Sequence, residues 1–189
     1  TVLSDSKANT FIDGSAFHLY GGAIEALSEV HQAFPDKHIY FTEQWVGSPG
    51  NMEEDIAWHV KNLLIGAPRN WAKTVLEWNL SSNPSLSPHT DRGGCHRCLG
   101  AITIGGDSVT RNPAYYVIAH ASKLVDPGSY RIGSSMPEGL PNVAFIRKDG
   151  KQVLIVQNDS NATKQFEIRS GNQHFKASLP AGATGTWLW

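Results

Sequence analysis

Two hydrophobic periods divide this chain, and the switch between them limits its fold more than any other feature. β-Prone runs at 15–19, 38–42 and 74–78 are separated by stretches with helical spacing. Beyond Pro127 and Gly128 that spacing gives way to alternation. Apolar residues at 23, 24, 27, 30 and 34 form one helical face, which Pro35 stops. Asn51 is placed as an N-cap, with Glu54 three residues on and Glu53 and Asp55 in the first turn. Ile56, Val60, Leu63 and Leu64 mark the buried side of this second helix, which is expected to close near Gly66. Strands separated by helices imply parallel neighbours joined by right-handed crossovers. Three strands alone leave a large open edge, and an eight-stranded barrel takes about 250 residues, so a barrel reading allows only the last part of one.

Residues 81–110 read as the longest irregular stretch, holding Pro84, Pro88, Gly93, Gly94, Gly105 and Gly106. Asn112 and Pro113 then open a helix running to Lys123 and Leu124. Short strands are expected at 130–133, 142–148, 152–157, 164–169, 174–179 and 184–189, with Asp149-Gly150 as a hairpin turn between the second and third. Polar outer faces on such strands suit a β-sandwich. Residues 1–10 are polar and patternless, a frayed end or a loop.

Charge narrows the partners. Sixteen basic against seventeen acidic side chains give a net charge of -1, which provides no electrostatic footprint for nucleic acid or an anionic membrane surface. No apolar run approaches the roughly 20 residues that span a bilayer. No signal-peptide series is present, and a chain that opens on Thr1 reads as a processed product or a piece of something longer. Six Trp, five Tyr and seven Phe, several beside polar residues at strand ends, suit sugar rings, although core packing explains many of them equally well.

Within this plan the stretch KHIYFTEQWVG, 37–47, carries the chemistry. Its aromatic and β-branched strand stops at Glu43, with Gln44 and Trp45 following. Such a Glu is often just a solvated charge. An acid at the C-terminal end of an apolar strand in an alternating β/α chain lies instead at the rim where α/β barrels do their chemistry. The first strand likewise ends in His18, Leu19 and Tyr20, and the third in Glu77, Trp78 and Asn79. The loop HTDRGGCHRC, with His89, Cys95, His96 and Cys98, holds both cysteines. One C-x-x-C lacks the four spaced ligands of a structural zinc site, so a loop-closing disulfide or two free thiols fits it better.

YFTEQW with its following Gly, the strand end HLY, LEWNL with NP shortly after, YYVIAHASK leading to PGSYRI, and the final TWLW together resemble the C-terminal half of glycoside hydrolase family 30, the group of glucosylceramidases and β-1,6-glucanases. The resemblance covers about 14–189. It implies an α/β plus all-β chain: the C-terminal portion of a (β/α)8 TIM barrel, its last three βα units at 1–125, followed by a β-sandwich domain at 126–189. It also implies retaining hydrolysis of a β-glucoside or β-glucan, an extracytoplasmic (secreted or periplasmic) location and no cofactor or metal. By carry-over, Glu43 matches the catalytic nucleophile, Tyr20 an aromatic beside it and Trp78 a sugar-contacting residue, while His18, Trp45 and Asn79 occupy neighbouring substrate-binding motif positions.

Retaining chemistry needs one ionised carboxylate and a second, protonated one about 5 to 5.5 Å away. Glu43 can be the first, with a Tyr hydroxyl from the preceding strand end holding it in place. By strand position the nearest second candidate is Glu77, but the resemblance puts the acid/base in an Asn-Glu pair near the end of barrel strand four. No Asn-Glu pair occurs in this sequence. The chain is therefore expected to need a missing N-terminal barrel half and to be inactive without it. The competing readings are a non-catalytic carbohydrate-binding module and a metal or redox role for the Cys95/Cys98 loop.

Overall fold

The computed structural model describes residues 2–189; Thr1, the first residue of the stretch expected to be patternless, lies outside them. The rest of that stretch is more ordered than expected. A 3-10 turn at Val2–Ser4 leads into α1 (Ser6–Asn9), because Asp5 caps it, its Oδ1 accepting from Lys7 N at 3.0 Å and Ala8 N at 2.8 Å.

The parallel sheet follows. β1 (Gly14–His18), α2 (Ala26–Ala33), β2 (His38–Glu43), the two-residue β3 (Val46–Gly47) and α3 (Met52–His59) come in that order. The second helix does not close near Gly66. It passes through a π-helical stretch, Val60–Gly66, into α4 (Ala67–Arg69), since a helix interior tolerates one Gly at a modest cost. β4 (Ala72–Val75) then completes the sheet, whose order is β1-β2-β4 with both pairings parallel. β4 ends earlier than the expected 74–78. Its register against β2 slips between Ile39 and Phe41, after which single bonds continue the contact: Leu76 N to Phe41 O at 3.0 Å and Trp78 N to Gln44 O at 2.6 Å. β2 is central, and its Ile39 and Phe41 are buried with Ile24 and Leu27 of the α2 segment and with Leu63 and Ala67.

The stretch expected to be irregular holds four short strands: β5 (Ser81–Ser82), β6 (Cys98–Leu99), β7 (Ile102–Gly105) and β8 (Ser108–Arg111). β7 and β8 form a hairpin on β5, while β6 pairs antiparallel with β3. Strands of two residues carry too little alternation to be visible as a period. α5 (Pro113–Ser122) follows with Asn112 at the N-cap position. The Asn112 side chain turns inward instead of capping, donating to Gly100 O at 2.7 Å and Thr103 Oγ1 at 2.9 Å.

β9 (Tyr130–Ile132), β10 (Asn142–Ile146), β11 (Gln152–Gln157), β12 (Lys164–Ser170), β13 (Gln173–Leu179) and β14 (Thr184–Leu188) make the all-β part. They form a four-stranded antiparallel sheet, β14-β11-β10-β9, and the separate ribbon β12-β13. Gly150, at φ 83, supplies the left-handed turn between β10 and β11. Leu140, Val156 and Leu179 fill the space between sheet and ribbon, with Phe166 edge-on to Trp187. The sheet's other contact is helical: Val143, Val153 and Ile155 are buried with Val60, Leu64, Ile65 and Val117. The chain is thus a parallel β/α part packed through its last helices onto a β-sandwich.

Candidate active site

Glu43 owes its setting to an irregularity in the sheet. Phe17 pairs with Phe41, but the next residue of β1, His18, pairs with Glu43, so Thr42 is an extra residue that re-aims the strand end. The Glu43 side chain is 32% exposed, open enough to meet a ligand. Tyr20 donates its hydroxyl to Glu43 Oε1 at 2.8 Å, and His18 Nδ1 stands 3.9 Å from the same oxygen. His18 and Tyr20 touch edge to face, with centroids 5.7 Å apart. Burial, then the bond to Glu43, then the charges of Glu43 and Glu77 push the Tyr20 phenol above its ordinary range. Tyr20 therefore stays protonated and keeps donating.

Gln44, given no role in the sequence reading, fixes the next step of chain. It is buried; its Nε2 donates to Leu19 O at 3.0 Å and its Oε1 accepts from Trp45 N at 3.0 Å. Trp45 and Trp78 form a parallel bridge between the extensions of β2 and β4. Trp78 is half exposed and joined to Asn79 by a cis peptide bond. Asn79 O accepts from Ala101 N at 2.8 Å, and a Cβ on Gly100 would lie 2.8 Å from Asn79 Oδ1. That close approach requires glycine at 100. His18, Tyr20, Glu43, Trp45, Trp78 and Asn79 thus belong to the C-terminal ends of three adjacent strands or the segments directly after them.

Glu77 is different. Its Oε1 lies 2.7 Å from His59 Nδ1, and the two side chains are 3% and 5% exposed. It is aimed into the protein, so it does not offer a proton to a ligand at the strand ends. His59 is the other half of this buried pair. No sequence pattern could join them, because they lie 18 positions apart on α3 and beyond β4.

Cys95 and Cys98 are disulfide-bonded. Their bond takes up both thiols that a metal site in that loop would need. Through Cys98 and Leu99 the loop is tied to Gly47 and Val46, directly after Trp45.

Residues 1–125 match the glycosyl hydrolase family 30 TIM-barrel domain, and residues 128–187 the glycosyl hydrolase family 30 beta sandwich domain. The chain belongs to glycosyl hydrolase family 30. Among family relatives, it is 30% identical over 199 residues to the endo-1,6-beta-D-glucanase neg1 of Aspergillus fumigatus, covering 100% of this chain and 39% of that one. It is 28% identical over 206 residues to the lysosomal acid glucosylceramidase of Mus musculus, again covering 100% and 39%. The solved endo-beta1,6-glucanase BT3312 superimposes with a TM-score of 0.91 at 31% identity, covering 99% of this chain and 43% of that chain. SrfJ from Salmonella typhimurium follows at 0.88 and 27%, covering 100% and 43%. The chain therefore spans about two fifths of the length of the family 30 proteins it matches.

Proposed function

We propose that this chain is the nucleophile-bearing C-terminal part of a retaining β-glycosidase that cleaves β-glucosidic bonds, as an endo-β-1,6-glucanase or a glucosylceramidase-like enzyme. The observation that carries the reading is an accessible carboxylate at a barrel strand end with a neutral hydroxyl bonded to one of its oxygens. Tyr20 occupies Oε1, which leaves Oε2 to attack the anomeric carbon. As the new C–O bond forms, the bond to the leaving oxygen breaks and a proton reaches that oxygen from a second carboxyl group. Water, deprotonated by that same group, then attacks the anomeric carbon, releases the sugar and frees Glu43. Trp78 and Trp45 serve as walls for the sugar, with His18 and Asn79 as polar contacts.

The proton donor is outside this chain. Glu77, bonded to His59, is unsuited to the role. We therefore place the donor in an N-terminal barrel half, divide the present residues into barrel (1–125) and sandwich (126–189), and expect no turnover from this chain alone. The named glucanases and glucosylceramidase among its relatives support the substrate class. The Cys95–Cys98 disulfide supports an extracytoplasmic location, since such bonds persist in oxidising compartments.

The test is to trap the covalent intermediate on the intact protein with a fluorinated β-glucoside and map the labelled peptide. A label on Glu43 is expected. A label on another residue, or binding of glucans with no turnover in any longer form of the protein, refutes the assignment in favour of another nucleophile or a carbohydrate-binding module.

A further inference from the structure

At the opposite end of the parallel sheet lies a cleft of about 410 Å³, between the starts of β2 and β4, α2 and the start of β9. His38 and Glu43 are the two ends of β2, so the cleft is roughly 16 Å of strand away from the candidate nucleophile. Its walls include His31, Lys37, His38, Lys73 and Arg131, and no Asp or Glu. The volume falls within the range of small-ligand sites.

Among the described residues, ion pairs engage Lys61, Arg147 and Arg169 but not the cations that line this cleft. Lys61 pairs with Asp159, Arg147 with Asp126 and Asp149, and Arg169 with Glu167. Among the described residues, Lys37, Lys73 and Arg131 have no carboxylate within ion-pair distance. Lys37 Nζ donates to the carbonyls of Asn9 and Ile12 at 2.7 and 2.8 Å, and Lys73 Nζ donates to His38 Nε2 at 2.8 Å. Asp13, whose charge reaches His38, Lys73 and Lys37, is itself bonded to the Tyr40 hydroxyl. Arg131 lies over the Trp71 ring at 5.4 Å, and Trp71 also stacks on His31 with centroids 4.0 Å apart. Burial, then the charge of Arg131, lowers the basicity of nearby Arg69.

Trp71 adds a second observation. It has φ 75, a left-handed conformation immediately after α4, where glycine is the usual residue. A bulky residue held there is strained, and such strain concentrates at ligand sites. Here it places an indole under Arg131 and holds the guanidinium at the cleft. The planar guanidinium fork matches carboxylate and phosphate oxygens, and nearby Lys73 adds a point charge.

We propose that this cleft is a second ligand site, in which Arg131 and Lys73 bind the oxyanion of a small carboxylate- or phosphate-bearing molecule. The site is independent of the glycosidase reading and stands or falls without it.

The test is titration of the intact protein with inorganic phosphate, with galacturonate and with neutral galactose, followed by calorimetry and by indole N–H shifts in NMR. Saturable binding of at least one anion, and none of galactose, is expected. The tighter anion identifies whether phosphate or carboxylate is the natural source. Arg131→Gln should weaken binding roughly ten- to a hundredfold, the loss of a charge-assisted contact, while the rest of the spectrum stays in place. Lys73→Gln, an exposed substitution, should weaken it by less and serves if Arg131→Gln fails to fold. Absence of saturable binding by either anion, galactose binding as well as galacturonate, or unchanged affinity in a folded variant overturns the proposal.

Discussion

Glu43 and Glu77 stand at corresponding places, the first at the end of β2 and the second two residues beyond neighbouring β4, yet they live in opposite surroundings. Glu43 keeps a third of its side chain in solvent and receives a hydroxyl that stays protonated. Glu77 keeps 3% and faces an imidazole at 2.7 Å. Position along a strand is therefore not what makes a carboxylate chemical. What differs is the partner and the path to solvent: Tyr20 leaves one oxygen of Glu43 available, whereas His59 ties Glu77 to the helix behind it. The first arrangement suits a group that must form and break a bond. The second suits one that anchors α3 to the segment carrying Trp78.

The sharpest way to break this contrast is to remove each carboxylate's charge in the intact protein. Glu43→Gln should lower turnover of an aryl β-glucoside roughly a thousandfold or more and leave the unfolding midpoint nearly unchanged. Glu77→Gln with an equal loss of turnover and no loss of stability would erase the distinction. His59→Ala, which strands Glu77 in the interior, should cost about 3–5 kcal/mol in a urea melt. Tyr20→Phe should come next, lowering kcat roughly ten- to a hundredfold if the hydroxyl orients the nucleophile.

Tyr20 also has a pH signature. Its folded pKa exceeds the unfolded value of about 10, so the stability it contributes is complete below that pH and fades as the pH rises further. The Phe variant should show a shallower alkaline decline in thermal unfolding. Reducing the loop, as Cys95→Ser with Cys98→Ser, should cost about 2 kcal/mol from so short a ring, without abolishing turnover.

The smallest effect concerns an imidazole without a carboxylate. Burial lowers the pKa of His120, whose Nδ1 lies 3.0 Å from Thr186 Oγ1. Its contribution to stability is present above the unfolded pKa of about 6.5 and is lost as the pH falls through the lower folded value. His120→Gln should flatten that acidic decline slightly in melts taken across the range.

The sequence was readable where one physical signal dominated. β11 was legible to the residue and β2 to within one, because β-branched and aromatic runs have sharp edges, and the Asp149-Gly150 turn because φ 83 at Gly150 favours glycine. The disulfide loop was legible only as a choice, since spacing alone cannot separate a bond from two thiols. Other features arise from contacts between segments distant in sequence. The extra residue at Thr42, the inward turn of Asn112 toward Gly100 and the pairing of His59 with Glu77 each depend on a neighbour that no local period reveals. The two-residue strands β3 and β6 exist only because they face each other.

The slip between β1 and β2 has an evolutionary consequence. Ile39 and Phe41, which hold the strand in place, lie before it, and Glu43 lies after it. Deleting the single codon for Thr42 would leave Ile39 and Phe41 in place while shifting Glu43 away from its phenol, along with the buried Gln44 and Val46 that follow. On the proposed reading, a descendant could thus lose the setting of its nucleophile in one step while keeping the first half of the strand that carries it.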